Sequence, residues 1–313
     1  MTAANPRHQH PGRRCFAGAG LLLAIASFAA WGAAYRYRDA NGQWVYTDRP
    51  PADGRSAQGL PLDVGTASSP RITVVPRTLA SGLELVAVNE CRCVVEFAVR
   101  VPTDTGLRSA RRVVAARSEA ALLDLAGATA QAPVRFEYGY VIGEPGVQHR
   151  PSQPYRAPFA NAAQFLVSQA PPDAVTHADE SSRYAIDIAM PVGTAVHAAR
   201  EGVVINVARS HFRGGLQAQN LNEANFVQIL HEDGTYAIYA HLQLDTVRVR
   251  PGQKVARGEP IANSGNTGFT SGPHLHFVVA RNAGLRSESL PVTFAGPGGA
   301  SVTPRTAQML RAY

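Results

Sequence analysis

Cysteine is scarce in this chain, which has 3 cysteines among its 313 residues. Cys15 stands before an apolar segment rather than after it, so the sequence does not indicate a lipid-modified N-terminus. Residues 94–97, Val-Val-Glu-Phe, are typical of an ordinary strand, and nothing near Cys91 or Cys93 indicates a catalytic thiol. If both cysteines lie on one strand, they point to the same face, where a bridge between residues i and i+2 is strained. A disulfide, a pair of free thiols and a packing role are all compatible with this pattern.

Charged residues are also few, at 17% of the chain against 45% apolar residues, which excludes a chain that is disordered throughout. The length allows two modest domains. The net charge of +7 includes Arg7, Arg13 and Arg14, which lie among 34 residues without any acid, so the remainder carries +4. This excess suits an anionic polymer, and equally a solvated basic surface. No basic cluster with interleaved aromatic residues occurs, so we expect no nucleic-acid partner.

The first 34 residues are interpreted as a targeting segment. Arg13 and Arg14 precede residues 15–34, which are apolar or small throughout and end in Trp-Gly-Ala-Ala. A basic start, an apolar middle and small residues before the cleavage point are typical of a secretory signal, here cleaved after Ala34. We therefore expect an exported protein of the periplasm or cell envelope. The alternative is an uncleaved membrane tether, because the apolar stretch approaches the length that spans a bilayer.

Residues 35–51 alternate aromatic and polar side chains around an Asn41-Gly42 pair, which predicts a β-hairpin. The segment resembles a small Tyr/Trp-rich module, of unassigned role, found near the N-terminus of envelope proteins of Gram-negative bacteria. Residues 52–70 are rich in Gly, Ser, Ala and Pro and are interpreted as a linker.

Short apolar runs in residues 71–142 predict a small accessory domain of the β-sandwich type. We expect its strands at residues 72–75, 83–88, 93–99 and 134–141. Residues 118–125 are predicted to form one or two helical turns before the last strand. Residues 143–172 contain six prolines and are interpreted as a linker.

We expect residues 173–290 to form a second domain, followed by a C-terminal tail at residues 291–313. Seven short apolar runs separated by glycine-containing turns indicate an antiparallel β-sheet. The runs are residues 185–189, 195–198, 202–207, 226–231, 236–240, 259–262 and 274–279. The predicted fold class of the whole chain is therefore all-β and mainly antiparallel.

One of these runs carries two histidines two positions apart. Because side chains on a strand alternate between its faces, His274 and His276 point the same way and share one wall of a groove. A glycine-rich segment, residues 266–272, precedes this run and lets the backbone come close to these imidazoles. Asp187 and His241 lie in further strand-like apolar runs and are candidates for the same site.

Four short blocks carry a family resemblance: Ala185-Ile-Asp187-Ile-Ala-Met-Pro191-Val-Gly193-Thr194, Tyr239-Ala-His241-Leu242, Asn266-Thr-Gly268 and Gly272-Pro-His274-Leu-His276-Phe277. Together they resemble the lysostaphin-type (LytM-like) zinc metallopeptidases, cell-wall endopeptidases that cut peptide cross-links of peptidoglycan. The resemblance covers roughly residues 160–290. It implies a LytM-like β-sheet peptidase domain, one zinc ion per chain and peptidoglycan stem peptides as the substrate.

The resemblance implies that Asp187 and His276 are zinc ligands. A carboxylate inside an apolar run agrees with this, because a bound cation offsets the cost of burying it. In the family's commonest pattern a third ligand, a histidine, lies four residues before the aspartate. Arg183 stands there in this chain and cannot ligate, since its guanidinium stays protonated. Some members have a longer spacing, and on that pattern His177 is the predicted third ligand.

By the same resemblance, His241 and His274 are catalytic residues that do not bind the metal. One is expected to take a proton from water and the other to stabilise the tetrahedral oxyanion, in either assignment. The predicted function is that of an exported zinc endopeptidase of peptidoglycan. Because Arg183 replaces a common ligand, the alternative is a metal-free LytM-like protein that binds the cell wall or regulates another hydrolase. A third hypothesis gives the accessory domain a wall-binding role.

Overall fold

The structure is a computed structural model, and it describes residues 34–38, 44–47, 51, 53–60, 69–104, 106–126 and 134–313. Its regular secondary structure is β-strand, apart from two short 3-10 turns at Ala218–Asn220 and Pro297–Gly299. The predicted all-β, mainly antiparallel fold class is confirmed. The predicted targeting segment, residues 1–34, lies outside the described residues except for Ala34. In the described ranges no helix is long and apolar enough to cross a membrane.

Three short strands near the N-terminus form a small antiparallel sheet. They are β1 (Ala34–Arg38), β2 (Trp44–Thr47) and β3 (Gln58–Leu60), in the order β2-β1-β3. The pairing of β1 with β2 agrees with the predicted hairpin, although its Asn41-Gly42 turn lies outside the described residues. Strand β3 falls within residues 52–70, which the sequence predicted as a linker.

Two three-stranded antiparallel sheets lie in residues 72–142, the range predicted as an accessory domain, and that name is kept for this range. Their strands are β4 (Ile72–Leu79), β5 (Gly82–Asn89), β6 (Val95–Thr103), β7 (Gly106–Val114), β8 (Ser118–Ala126) and β9 (Glu137–Ile142). One sheet has the order β4-β5-β8 and the other β7-β6-β9. Alternate residues of β6, such as Phe97 and Val99, are buried because both sheets contribute to one apolar core.

Residues 118–125, predicted as helical turns, form strand β8 instead. This strand pairs antiparallel with β5 along its whole length. Alanine, leucine and glutamate favour a helix, but the pairing with β5 and the burial of Leu125 override that weak preference. The sequence prediction also missed β7, because most of its side chains are exposed and show no alternation of apolar and polar residues.

A disulfide joins Cys91 and Cys93. Both cysteines lie in a bend between β5 and β6 rather than on a strand, so the backbone folds back and brings their Cα atoms to 5.1 Å. The geometric objection raised for an extended strand therefore does not apply. The buried side chain of Asn89 holds the bend, because its Oδ1 accepts from the Cys91 N–H and its Nδ2 donates to the Cys93 carbonyl.

A nine-stranded antiparallel sheet dominates the second domain. The strands in this part of the chain are β10 (Gln164–Gln169), β11 (Ile186–Ala189), β12 (Ala195–His197), β13 (Gly202–Ala208), β14 (Phe226–Leu230), β15 (Tyr236–Ala240), β16 (Lys254–Val255), β17 (Pro260–Asn263), β18 (Leu275–Asn282), β19 (Ser287–Leu290), β20 (Phe294–Ala295), β21 (Ser301–Val302) and β22 (Met309–Arg311). The large sheet has the order β16-β13-β14-β15-β18-β11-β10-β22, and β19 pairs with β18. Strands β12 and β17 form one ribbon, and β20 and β21 another.

Two strands of the large sheet lie outside the range predicted for the second domain. Strand β10 falls in the predicted linker, residues 143–172, and β22 in the predicted tail, residues 291–313. Strand β10 pairs with both β11 and β22, so these segments complete one edge of the sheet. The surrounding prolines concealed β10 in the sequence, since proline is usually a sign of irregular structure.

The two faces of the large sheet are covered by different cores. Ala237 and Tyr239 of β15 are buried in the main core of the second domain, whereas Tyr236 belongs to the core of the accessory domain. Ile205 and Ala280 also belong to the accessory core. The two domains therefore share apolar packing across one face of the sheet.

Candidate functional site

Asp187 and His276 are direct neighbours on adjacent antiparallel strands, β11 and β18. His276 Nδ1 lies 2.9 Å from Asp187 Oδ1. Leu275 and Phe277 are buried in the main core, so alternation along β18 places His276 on the opposite face of the sheet. This is the face that the accessory domain covers farther along at Ala280.

His177 reaches Asp187 from the loop between β10 and β11. Its Nε2 lies 3.2 Å from Asp187 Oδ2, and both side chains are only 6% exposed. The rings of His177 and His276 are 5.1 Å apart between centroids and meet edge to face. One potential ligand atom from each of the three residues lies within 4.8 Å of the other two. The described part of the chain contains no other such group of three or more His, Cys, Asp or Glu residues.

Arg183 takes no part in this cluster. It is exposed, and its backbone N–H donates to the carbonyl of Asp179 in a turn before β11. The loop thus brings His177, rather than the residue four positions before Asp187, to the carboxylate. Two imidazoles and one carboxylate can hold a divalent metal ion.

His241 and His274 lie on the same side of the sheet as the cluster, with ring centroids 4.6 Å apart. Nδ1 of His241 lies 2.6 Å from the Thr267 carbonyl oxygen, and Nδ1 of His274 lies 2.8 Å from that of Gly272. A carbonyl oxygen only accepts hydrogen bonds, so each Nδ1 carries a proton. In the neutral imidazole, Nε2 is then the basic nitrogen. The Nε2 of His274 lies 3.8 Å from a carboxylate oxygen of Asp187.

The backbone of His241 turns sharply at the end of β15. Its φ of 61° lies in the left-handed region, which non-glycine residues seldom adopt and which is frequent at functional sites. Burial, together with the neighbouring His274 and His276, lowers the pKa of His241 to about 4. At neutral pH this imidazole is therefore uncharged and able to accept a proton.

Asp187 is ionised despite its burial. Burial by itself would raise the pKa of this carboxyl group, but hydrogen bonds with His177 and His276 lower the pKa well below its ordinary value. Gln169 Nε2 donates a further hydrogen bond to Oδ2 at 2.8 Å. The site therefore presents a negative charge to a cation.

A groove of about 550 Å³ contains all five predicted site residues. Three large apolar side chains in its lining, Leu216, Leu221 and Phe269, are exposed. Asp187 is the only carboxylate among the lining residues, and no lysine or arginine is among them. The groove therefore offers mostly neutral and apolar contacts around the cluster.

The loop that carries Leu216 is hydrogen-bonded to Gly268, next to the Thr267 carbonyl that contacts His241. Gly215 N–H donates to the Gly268 carbonyl, and Gly268 N–H donates to the Arg213 carbonyl. A Cβ atom on Gly214 would lie 1.7 Å from the carbonyl oxygen of Asn266, so glycine is needed for this approach. The backbone that orients His241 through the Thr267 carbonyl is thus in close contact with the loop of residues 213–216.

Sequence reasoning missed two polar residues of the site. Gln169 lies in the segment predicted as a linker, and no motif or periodicity marked it. Thr270 belongs to the glycine-rich segment, and its Oγ1 lies 3.3 Å from His274 Nδ1 and 2.8 Å from the Gly272 carbonyl oxygen. A threonine four residues before the first histidine of the pair was the only available signal for it.

Residues 181–287 match the family described as Peptidase family M23. The chain carries an M23 peptidase domain. The resemblance predicted from the four sequence blocks is thereby confirmed, and the groove lies within this M23 peptidase domain apart from the residues that precede it, Gln169, Thr176 and His177. Residues 21–72 match a domain of unknown function, DUF4124.

The M23 domain is similar to peptidoglycan DD-endopeptidase ShyA of Vibrio cholerae serotype O1, with 37% identity over 114 residues, 36% of this chain and 24% of ShyA. Lysostaphin of Staphylococcus staphylolyticus is 30% identical over 127 residues, 39% of this chain and 24% of lysostaphin. The solved catalytic domain of lysostaphin from Staphylococcus simulans aligns with a TM-score of 0.30 and 24% identity, covering 41% of this chain and 88% of that domain. The chain spans 24% of the length of each of these two curated relatives.

Proposed function

We propose that this chain is an exported, zinc-dependent endopeptidase that hydrolyses peptide cross-links of peptidoglycan. The observation that carries the proposal is the convergence of His177, Asp187 and His276 beside two histidines whose Nε2 atoms are basic. Relatives named as a peptidoglycan endopeptidase and as lysostaphin support the substrate class. The predicted targeting segment supports export to the compartment that holds this polymer.

The three side chains of the cluster suit zinc. Catalytic zinc sites have three protein ligands of this kind and leave one position open. In a tetrahedral site with bonds of about 2.1 Å, the ligand atoms are about 3.4 Å apart. The contacts of Asp187 with His276 and His177 are 2.9 and 3.2 Å, and one ligand atom of each residue lies within 4.8 Å of the other two, distances compatible with one shared ion. When bound, zinc supplies Lewis-acid activation of a water molecule and of the amide carbonyl.

The two remaining histidines divide the proton chemistry between them. His241 is the proposed proton acceptor, because the Thr267 carbonyl holds the proton on its Nδ1 and its Nε2 is then unprotonated. As an imidazolium, with a second proton on the Nε2 that faces Asp187, His274 is the proposed hydrogen-bond donor to the developing oxyanion. The carbonyls of Thr267 and Gly272 hold both rings in this orientation.

Incubation of the purified chain with sacculi tests the function. We expect release of muropeptides cut within their stem peptides, one zinc ion per chain and loss of activity with a chelator. His177→Ala should lose both zinc and turnover, whereas Arg183→Ala, a matched change at an exposed position of the same loop, should retain both. If the purified chain holds no zinc after mild purification but still binds sacculi, the metal-free alternative is favoured instead.

A further inference from the structure

Gln169 connects two parts of the candidate metal site. It ends β10, where its Cα lies opposite that of Asp187. Its Nε2 donates to Asp187 Oδ2 at 2.8 Å and to Thr176 Oγ1 at 3.0 Å. Its Oε1 accepts from the backbone N–H groups of Val175 and Thr176 at 2.9 and 3.1 Å. Because a carboxylate only accepts and a backbone N–H only donates, these partners fix the orientation of the amide.

The loop that carries His177 has few other attachments. No backbone–backbone hydrogen bond involves residues 174–178 in the described part of the chain. Val175 is 85% exposed, and Nδ1 of His177 has no hydrogen-bond partner. Apart from the contact of its own Nε2 with Asp187, the position of His177 relative to β11 thus depends on Val175 and Thr176, which both donate hydrogen bonds to Gln169.

We propose that Gln169 is a positioning residue for the metal ion, an inference that rests on the proposed function. One amide side chain orients the Asp187 carboxylate and holds the loop that delivers His177. A ligand on a loop that is already in place loses less conformational freedom when the ion binds. This arrangement allows a histidine ten residues before the aspartate to act where Arg183 occupies the common ligand position.

Zinc affinity provides a test that does not depend on turnover. Gln169→Ala removes all the hydrogen bonds, and Gln169→Met removes them while filling a similar volume. Competition with a chromophoric zinc chelator should show binding 10- to 100-fold weaker for both variants, the range typical for loss of a partner that orients a ligand. Gln164→Ala, an exposed change on the same strand, should leave zinc affinity unchanged.

The outcomes separate positioning from structural stability and from the proposed function. A positioning role predicts weaker zinc binding by Gln169→Met while the melting temperature of its metal-free form matches that of the wild type. If Gln169→Met binds zinc as tightly as the wild type, the inference is overturned and the proposed function stands. If the wild type binds no zinc at all, both the proposed function and the inference that rests on it are wrong.

Discussion

His231 shows how burial sets the charge of a single side chain. It lies directly after β14 and is 3% exposed, with Nδ1 lying 2.8 Å from the Glu201 carbonyl oxygen and a buried Nε2 that has no partner. Burial, assisted by the positive charge of Arg200, lowers the pKa of His231 to about 4. The folded protein therefore holds this imidazole neutral at pH values where the unfolded chain protonates it.

This shift predicts a loss of stability in mild acid. Between about pH 6.5 and pH 4 the unfolded chain binds one more proton at His231 than the folded chain does. The contribution of His231 to the free energy of unfolding should therefore fall by about 1.4 kcal/mol for each pH unit over that window. His231→Asn keeps a donor for the Glu201 carbonyl but does not titrate, so its pH dependence should be weaker by this amount. Urea unfolding followed by circular dichroism, with a chelator present, measures the slope, and an unchanged slope would contradict the assignment.

At the scale of elements, the groove depends on contact between two loops. The backbone at Gly214 approaches the carbonyl of Asn266, and the adjoining Thr267 carbonyl orients His241. A change in the loop of residues 213–216 should therefore reach His241, the proposed proton acceptor, through main-chain atoms alone. This effect does not require contact between a side chain of that loop and the His241 ring.

Gly214→Ala tests this dependence. The added methyl group would lie 1.7 Å from the Asn266 carbonyl oxygen, so the loops must separate. We expect the free energy of unfolding to fall by about 1–3 kcal/mol, the usual cost of overpacking, and hydrolysis of sacculi to fall with it. Gly139→Ala on β9 is the control, because a Cβ atom there meets nothing within 4 Å and the position lies outside the groove. Equal behaviour of the two variants would show that the contact between the loops is unimportant.

The sequence predicted those parts of the structure that depend on local alternation or on a motif. His274, His276 and Asp187 were found because strand alternation and four sequence blocks identify them. The loop position of His177 was assigned only through the resemblance. Gln169 was not found, because a polar residue between prolines carries no periodic signal. Strand β8 was predicted as helix because pairing with β5 is a tertiary effect that local propensity does not contain.

At the scale of the whole molecule, Glu96 links the accessory domain to the M23 peptidase domain. Its side chain is 1% exposed, and Oε2 accepts hydrogen bonds from Asn282 Nδ2 and from the Leu285 N–H, both at 2.9 Å. Arg111 pairs with the other carboxylate oxygen. Together with the shared apolar packing around Ile205, these bonds indicate that the two domains unfold together.

Glu96→Ala should weaken this connection. It leaves one N–H of the buried Asn282 amide without its acceptor, at a cost of about 1–3 kcal/mol, whereas the Leu285 N–H keeps Asn282 Oδ1 as an acceptor at 3.1 Å. We expect one cooperative unfolding transition in the wild type and a less stable, less cooperative one in the variant, measured by calorimetry. Glu137→Ala, an exposed change on β9, is the control and should have little effect. Two separate transitions in the wild type would contradict the shared core.

The shared face of the large sheet also limits the path of a bound polymer. Val278 follows His276 by two residues on the same face and is already buried, so the accessible surface along β18 ends about 7 Å past the histidine. Under the proposed function, we therefore expect both arms of a cross-linked substrate to leave the groove away from the accessory domain. Chemical-shift changes caused by a stem peptide should accordingly appear at Ala240 and His276 but not at Ala280.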